Sequence, residues 1–316
     1  MVDVTIEASG LTKRYGSHTA VRNLSFTARQ GDVIGLLGPN GAGKTTTIRL
    51  LTTVLPPTSG TFAVAGVPDT RPSEIRRRVG VLPESAGYPG HQTGREFLRY
   101  HARLYGHPPA EAVRVADELL AEVGLAARAR SRISTYSRGM RQRLGIARAL
   151  VNSPAVIFLD EPTLGLDPAG QAQVLGMVRE IARGRGATVV LSTHALPEVE
   201  QVCSRVIILN AGQVVAVAPM SEITRTATVE RSGQLRVPAG LVERAREALT
   251  GIAHVTVEAT RPDVLKLSVI AGPDGRASPN RALQAVLAAG VPVLGFEMEG
   301  ARLSTAFLTM TREGGR

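Results

Sequence analysis

The sequence predicts an α/β fold, a parallel sheet covered by helices on both faces, with a small α+β unit behind it. Three observations lead there. Residues 32–38, 155–160 and 188–192 are short apolar runs of strand length, as strands buried on both faces are. Helix-period segments separate these runs. Beyond about residue 221 the alternation gives way to shorter elements of both kinds, which divides the chain into a domain over residues 1–220 and an α+β accessory domain over 221–316. With 316 residues, 43% of them hydrophobic, the chain has material for a packed core, which excludes wholesale disorder.

Taken in order, residues 4–8 and 20–29 alternate in the manner of edge strands, and the run 32–38 ends in glycine. A helix pattern over 44–55 stops at Pro56 and Pro57. Residues 73–150 read as mostly helical, in particular 95–105, 110–123 and 138–150. The run 155–160 leads to Pro168 and a helix through about residue 183. Residues 206–221 hold no charge, but Asn210, Gly212, Gln213 and Pro219 divide them into strand, turn and strand. In the accessory domain the pattern predicts helices over 241–249, 281–289 and 303–311. It places strands over 254–258, 264–270 and 291–297, with a turn over 272–275.

No apolar run reaches the roughly 18 residues that a spanning helix needs. The N-terminus has neither the basic start nor the apolar stretch of a secretion signal. Cys203, the single cysteine, cannot make an internal disulfide or a cysteine-based zinc site, which suits a reducing cytoplasm. Aromatics are 3% of the chain and tryptophan is absent, so a protein that stacks single-stranded bases is disfavoured.

One motif carries chemistry outright. Gly38, Pro39, Asn40, Gly41, Ala42, Gly43, Lys44 and Thr45 match G-x-x-x-x-G-K-[ST], after a buried strand and before a helix. Glycines let successive backbone N–H groups curl around phosphate oxygens, and the helix adds its positive end. Lys44 is expected on the β- and γ-phosphates of ATP and the Thr45 hydroxyl on Mg²⁺, with Thr46 completing the binding run. Asp160 and Glu161 close the second buried strand, at the sheet edge where ligands gather. Asp160 is expected to hold Mg²⁺ through water and Glu161 to polarise the attacking water. His194, after the third strand, is expected to reach the γ-phosphate and that water.

Between these motifs lies Tyr136-Ser-Arg-Gly-Met-Arg-Gln-Arg143, and with it the pieces resemble one family, the nucleotide-binding subunits of ABC transporters. The resemblance covers about residues 4–220 and implies a P-loop NTPase of the ABC type, with a helical insert over about 85–150. It implies ATP and Mg²⁺ as ligands and a homodimer in which Ser137 and Gly139 of one copy face the γ-phosphate bound by the other. Asp167, in Leu164-Gly-Leu-Asp167, resembles the adjoining D-loop residue. Ser137 and Asp167 are also ordinary helix N-caps, and both roles can hold together. Tyr15 stands where the family stacks an aromatic on adenine, with packing in the sheet as the other reading. The chain departs from the family in three places: Arg138 replaces a glycine, Met140 a glutamine, and Glu84 the glutamine that usually binds Mg²⁺. Glu84 reads either as a metal ligand or as surface charge.

The tail from Gly300 to Thr309 resembles ATPases of daunorubicin-resistance-type antibiotic and multidrug exporters, with Ser304 and Thr305 in place of an acidic pair. The resemblance therefore implies an ATP-hydrolysing exporter subunit that drives a separate membrane permease for a drug, antibiotic or lipid-like cargo. It would sit at the cytoplasmic face of the membrane. Two other readings stay open: a cytosolic ABC-type ATPase acting on ribosomes or nucleic acid, and an importer subunit. Against the first, the chain has one phosphate loop and no sustained heptads.

The net charge of +10 discriminates further. Residues 71–148 hold 15 arginines and no lysine against 7 acidic residues, whereas 1–70 and 149–220 together are neutral. The excess thus lies in the helical insert, away from the phosphate-binding framework. In the family that the chain resembles this insert faces the permease and the inner leaflet, so the resemblance implies docking under an anionic membrane, with a solvated basic face as the other reading, and no nucleic-acid partner is expected.

Overall fold

The computed structural model describes residues 3–222, 230–250, 252, 255–270 and 279–298. The chain divides into two compact units, Met1–Pro219 and Met220–Arg316.

The first unit is built on one ten-stranded sheet. In chain order its strands are β1 (Val4–Tyr15), β2 (His18–Arg29), β3 (Val33–Leu37), β4 (Ser59–Val64), β5 (Val67–Pro68), β6 (Val79–Leu82), β7 (Val156–Asp160), β8 (Thr188–Thr193), β9 (Arg205–Asn210) and β10 (Gln213–Pro219). Their order across the sheet is β5-β4-β1-β2-β10-β9-β3-β8-β7-β6. From β9 to β6 the neighbours are parallel. Every residue of β3, β7 and β8 is buried. Since successive side chains point to opposite faces, both faces of this half are covered.

The other half departs from the expectation of an all-parallel sheet. Strands β1 and β2 are twelve residues each and pair antiparallel with one another, and β1 pairs antiparallel with β4 as well. Neither is an edge. The edge is the two-residue β5, where Pro68 has no N–H to offer a further strand. Alternation identified β1 and β2 but could not say what lay beside them. Residues 73–150 also contain the strand β6, at the far edge of the parallel half.

Helix α1 (Lys44–Leu51) ends four residues before the expected position. There Thr52 Oγ1 donates to the Ile48 carbonyl at 2.7 Å and Thr53 adopts φ 60°, so the chain turns before reaching the prolines. Helices α2 (Pro72–Arg78), α3 (Gly94–Leu104), α4 (Pro109–Glu122), α5 (Arg138–Leu150), α6 (Pro168–Arg185) and α7 (Leu196–Val202) follow. A full capping box starts α3: Glu96 N–H donates to Thr93 Oγ1, and Thr93 N–H to the Glu96 carboxylate. Those bonds hold the Glu96 carboxyl below its ordinary range. Ser137 and Asp167 accept from the N–H groups of Met140 and Gly170 at 3.2 Å each, capping α5 and α6.

The core of this unit runs through Ile6, Leu11, Phe26, Ile34, Leu50, Ile75, Phe158 and Leu209. Cys203 is buried against Gly35 and Val199, and burial pushes its thiol far above the ordinary value.

The second unit has its own antiparallel sheet, ordered β12 (Val255–Arg261), β13 (Val264–Ile270), β11 (Glu230–Arg236) and β14 (Gly295–Met298). With helices α8 (Val242–Thr250) and α9 (Pro279–Ala288) it encloses Leu235, Val237, Leu249, Leu265, Leu267 and Val286. Strand β11 is interior to this sheet yet went unread, because its sequence ERSGQLR is polar and interrupted by glycine. The expected strand 291–297 shrinks to β14. The expected turn 272–275, the helix 303–311 and the tail motif from Gly300 lie outside the described residues.

Phe158 is fully buried at the centre of the parallel half. Phe158→Ala is expected to destabilise the first unit by about 3–5 kcal/mol, measured by urea unfolding followed by circular dichroism.

Candidate functional site

Strand β3 delivers the chain to Gly38 at the carboxyl edge of the sheet, and the loop back to α1 is shaped by close contact. A Cβ on Gly38 would lie 2.3 Å from the Leu209 carbonyl, and one on Gly43 2.3 Å from the Ala20 carbonyl. Gly43, the N-cap of α1, also has φ 106°, which side chains rarely adopt. The first N–H groups of α1 have no acceptor within the helix, and a helix N-terminus with such free donors suits an anion.

Lys44 is 6% exposed. Its Nζ donates to the Gly38 carbonyl at 2.7 Å and the Pro39 carbonyl at 3.2 Å, and lies 3.3 Å from Glu161 Oε1. The ammonium thus donates two hydrogen bonds to loop carbonyls and forms an ion pair with Glu161.

The register of the parallel strands brings in the acidic groups. Asp160 pairs with Ser192, and Leu37 with Thr193. Asp160 Oδ1 accepts from Thr45 Oγ1 at 3.2 Å and from Ser192 Oγ. Glu161, one residue past β7, adopts φ 48°, a left-handed conformation costing on the order of 1–3 kcal/mol for a side-chain-bearing residue. Its N–H donates to the Ser192 carbonyl and to Ser192 Oγ, at 3.2 and 3.0 Å, which holds it there. The turn directs its carboxylate back across the strand ends, where Oε2 meets His194 Nδ1 at 3.0 Å. Lys44, Glu161 and His194 therefore form one continuous chain of contacts.

Around them is a cavity of about 460 Å³. Of the residues expected from sequence, it is lined by Tyr15, 39–46, Glu84, Glu161 and His194. Gly38 contributes its carbonyl beneath the loop. Tyr15 is 46% exposed, and its ring carries Lys13 Nζ at 5.3 Å from the centroid. A neighbouring cavity of about 270 Å³ is lined by Thr45, Glu84 and Asp160 together.

Ser137, Gly139 and Asp167 do not line either cavity. They lie near one another instead: Gly139 faces Leu166, and the Arg138 guanidinium covers Gly165, where a Cβ would come 2.5 Å from Cζ.

Three lining residues, His18, Ala20 and Leu164, lie outside the set expected from sequence, as does the bridging role of Ser192. His18 carries no motif and arrives through the β1–β2 turn, in which it pairs with Tyr15. Ser192 lies in the run LSTH beside His194, but only strand register reveals its partners.

A doubly covered parallel sheet with a phosphate loop, a carboxylate pair at the adjoining strand end and a histidine on the next strand defines an ATP-binding P-loop protein with a helical insert. The comparisons with known proteins specify it. The family profile "ABC transporter" matches residues 21–164. The linearmycin resistance ATP-binding protein LnrL of Bacillus subtilis (strain 168) is 31% identical over 97% of this chain and 98% of its own length. The daunorubicin resistance ATP-binding protein DrrA3 of Streptomyces coeruleorubidus is 39% identical over 83% of this chain and 82% of its own. Among solved structures, an ATP-binding subunit of an ABC transporter superposes with TM-score 0.63 at 32% identity, covering 70% of this chain and 92% of its own. A structure described as a dimeric bacterial ABC transporter cassette gives 0.62 at 25% identity, over 68% and 98%. The chain belongs to the ATP-binding proteins of ABC transporters and is similar to antibiotic-resistance members of that family, the daunorubicin type among them.

Ser192 joins Asp160 to the strained Glu161 backbone through one buried hydroxyl. Ser192→Ala is expected to cost about 1–3 kcal/mol of stability, seen as a lowered urea midpoint, and to reduce the rate of ATP hydrolysis.

Proposed function

We propose that this chain is the ATP-hydrolysing subunit of a membrane exporter for a drug, antibiotic or lipid-like cargo, and that it dimerises on ATP to drive a separate permease. The observation that carries this reading is the convergence of Lys44, Glu161 and His194 at the floor of one phosphate-loop cavity. The relatives are named for resistance to linearmycin and daunorubicin, which supports an exported cargo. No described helix is long and apolar enough to cross a membrane, which is why a permease partner enters the proposal. Residues 1–220 form the ATP-binding domain in this reading, and 221–316 an accessory domain.

The roles of the residues follow from the geometry. The loop N–H groups and Lys44 bind the phosphates of ATP. Phosphate oxygens would replace some of the contacts that Lys44 makes with the Gly38 and Pro39 carbonyls and with Glu161. Glu161 orients the attacking water and accepts its proton. His194 steadies that carboxylate from the other side through Nδ1. Tyr15 offers its exposed ring to the base.

Thr45, Asp160 and Glu84 present only oxygen donors around one cavity, the ligand chemistry a magnesium ion takes, and they would hold it. When bound, Mg²⁺ neutralises phosphate charge and acts as a Lewis acid. Ser137 and Gly139, outside the cavities of their own chain, are free to face ATP held by a second copy, with Asp167 beside the shared boundary.

The basic stretch over residues 71–148 is proposed to dock under an anionic membrane. Helix α2 places Arg76, Arg77 and Arg78 on the surface; Arg76 also donates to Thr53 Oγ1 at 3.0 Å, and Arg78 to the Ala65 carbonyl at 2.9 Å.

Glu161→Gln is expected to bind ATP, lose at least a hundredfold in hydrolysis rate and accumulate as a dimer on size exclusion. A variant that hydrolyses ATP at the wild-type rate would overturn the assignment of Glu161. Replacing Arg76, Arg77 and Arg78 together with glutamine should reduce binding to phosphatidylserine vesicles by on the order of a hundredfold at low salt, measured by co-sedimentation.

A further inference from the structure

Among the described residues, the mechanism above leaves one buried carboxylate unused. Glu198, in the first turn of α7, is 7% exposed. Both of its oxygens are taken by hydroxyl groups rather than by a cation. Thr163 Oγ1 donates to Oε1 at 2.6 Å, and Thr193 Oγ1 donates to Oε2 at 2.7 Å. The two threonines are themselves buried, at 3% and 1% exposure. Thr193 Oγ1 in turn accepts from the Ala195 N–H at 3.0 Å, which turns the chain around His194.

What matters is where the two threonines stand. Thr163 lies two residues past Glu161, in the turn closed by Leu164 N–H on the Glu161 carbonyl at 3.2 Å. Thr193 immediately precedes His194. One carboxylate therefore ties the loop that follows β7 to the end of β8, directly behind the 3.0 Å contact between Glu161 and His194. A carboxylate suits this place because it accepts at both ends. Glutamine at the same position has one accepting oxygen and one donating NH₂, so it cannot receive both hydroxyl protons. Burying a charge is unfavourable unless such donors are present, and here two are.

We infer that Glu198 is a positioning residue for ATP hydrolysis: by bridging Thr163 and Thr193 it holds Glu161 and His194 in register. This rests on the roles proposed for Glu161 and His194. Glu198 touches neither of them, and its effect passes through the two threonine hydroxyls.

The test compares Glu198→Gln, Thr163→Val and Thr163→Ser with the wild type, after urea unfolding has established that each is folded. Thr163→Val keeps the shape and removes the hydroxyl, which guards against a Glu198 variant that fails to fold. Glu198→Gln and Thr163→Val should each lower kcat about tenfold to a hundredfold, as small misplacements of reacting groups do. Equilibrium binding of a non-hydrolysable ATP analogue should change less than about threefold in both. Thr163→Ser should recover most of the lost kcat. Placed on a His194→Ala background, Glu198→Gln should add little further loss, because the two act as one unit. In the nucleotide-free chain labelled with ¹⁵N-histidine, the His194 Nδ1 resonance should move toward that of an unpaired imidazole in both variants. An unmoved resonance with unchanged kcat would overturn the inference, as would a loss fully additive with His194→Ala. Wild-type turnover by Glu161→Gln would instead overturn the underlying site assignment, so the two failures are distinguishable.

Discussion

Ser192 lies in a parallel ladder opposite Leu36 on one side and Asp160 on the other, and the polar floor of the cavity is arranged around that register. Strands β3, β8 and β7 all run the same way and end along one line. Their last residues must then hand over hydrogen-bonding groups that no further strand can satisfy. Each is satisfied locally: Glu161 N–H by Ser192, Asp160 by Thr45 and Ser192, and Lys44 by the loop carbonyls and Glu161. A slip of one residue in β8 would turn Ser192 and His194 to the opposite face and dissolve the set.

This arrangement explains why the loop contains glycine where it does and why Glu161 is tolerated at a left-handed φ. Leu209 and Ala20 press their carbonyls against Gly38 and Gly43, leaving no space for a side chain. Two hydrogen bonds to Ser192 offset the backbone strain at Glu161, and the return is a carboxylate aimed at both Lys44 and His194. The buried ammonium of Lys44 is held by two loop carbonyls and paired with the Glu161 carboxylate.

Much of this was legible in the chain. The phosphate loop announces itself because glycine, lysine and threonine at fixed spacing serve a contact made almost wholly by local backbone. Buried strands announce themselves by apolar runs with short ends, so β3, β7 and β8 were readable to within a residue or two. The polar strand β11 was not, because its place inside a sheet is set by the partners β13 and β14 on either side of it. Strands β1 and β2 showed their alternation but not their neighbours. The end of α1 is not legible in the chain, because prolines are visible in a sequence whereas the Thr52 side chain bonding back to Ile48 is not.

The sequence by itself determined the chemistry available: which residues could grip phosphate, which carboxylates end a strand, and how the positive charge divides between framework and insert. Those are properties of residue type, spacing and count, which do not depend on what folds against them. Tertiary structure decided which groups meet. The Lys44–Glu161–His194 chain joins the start of α1 to residues just past β7 and β8, and His18 reaches the same cavity through a hairpin. Glu198 has no motif of its own and becomes meaningful only because α7 packs its carboxylate between Thr163 and Thr193. Hydrogen bonds across tens of residues are selected by strand register and burial, and no local pattern in the chain encodes them.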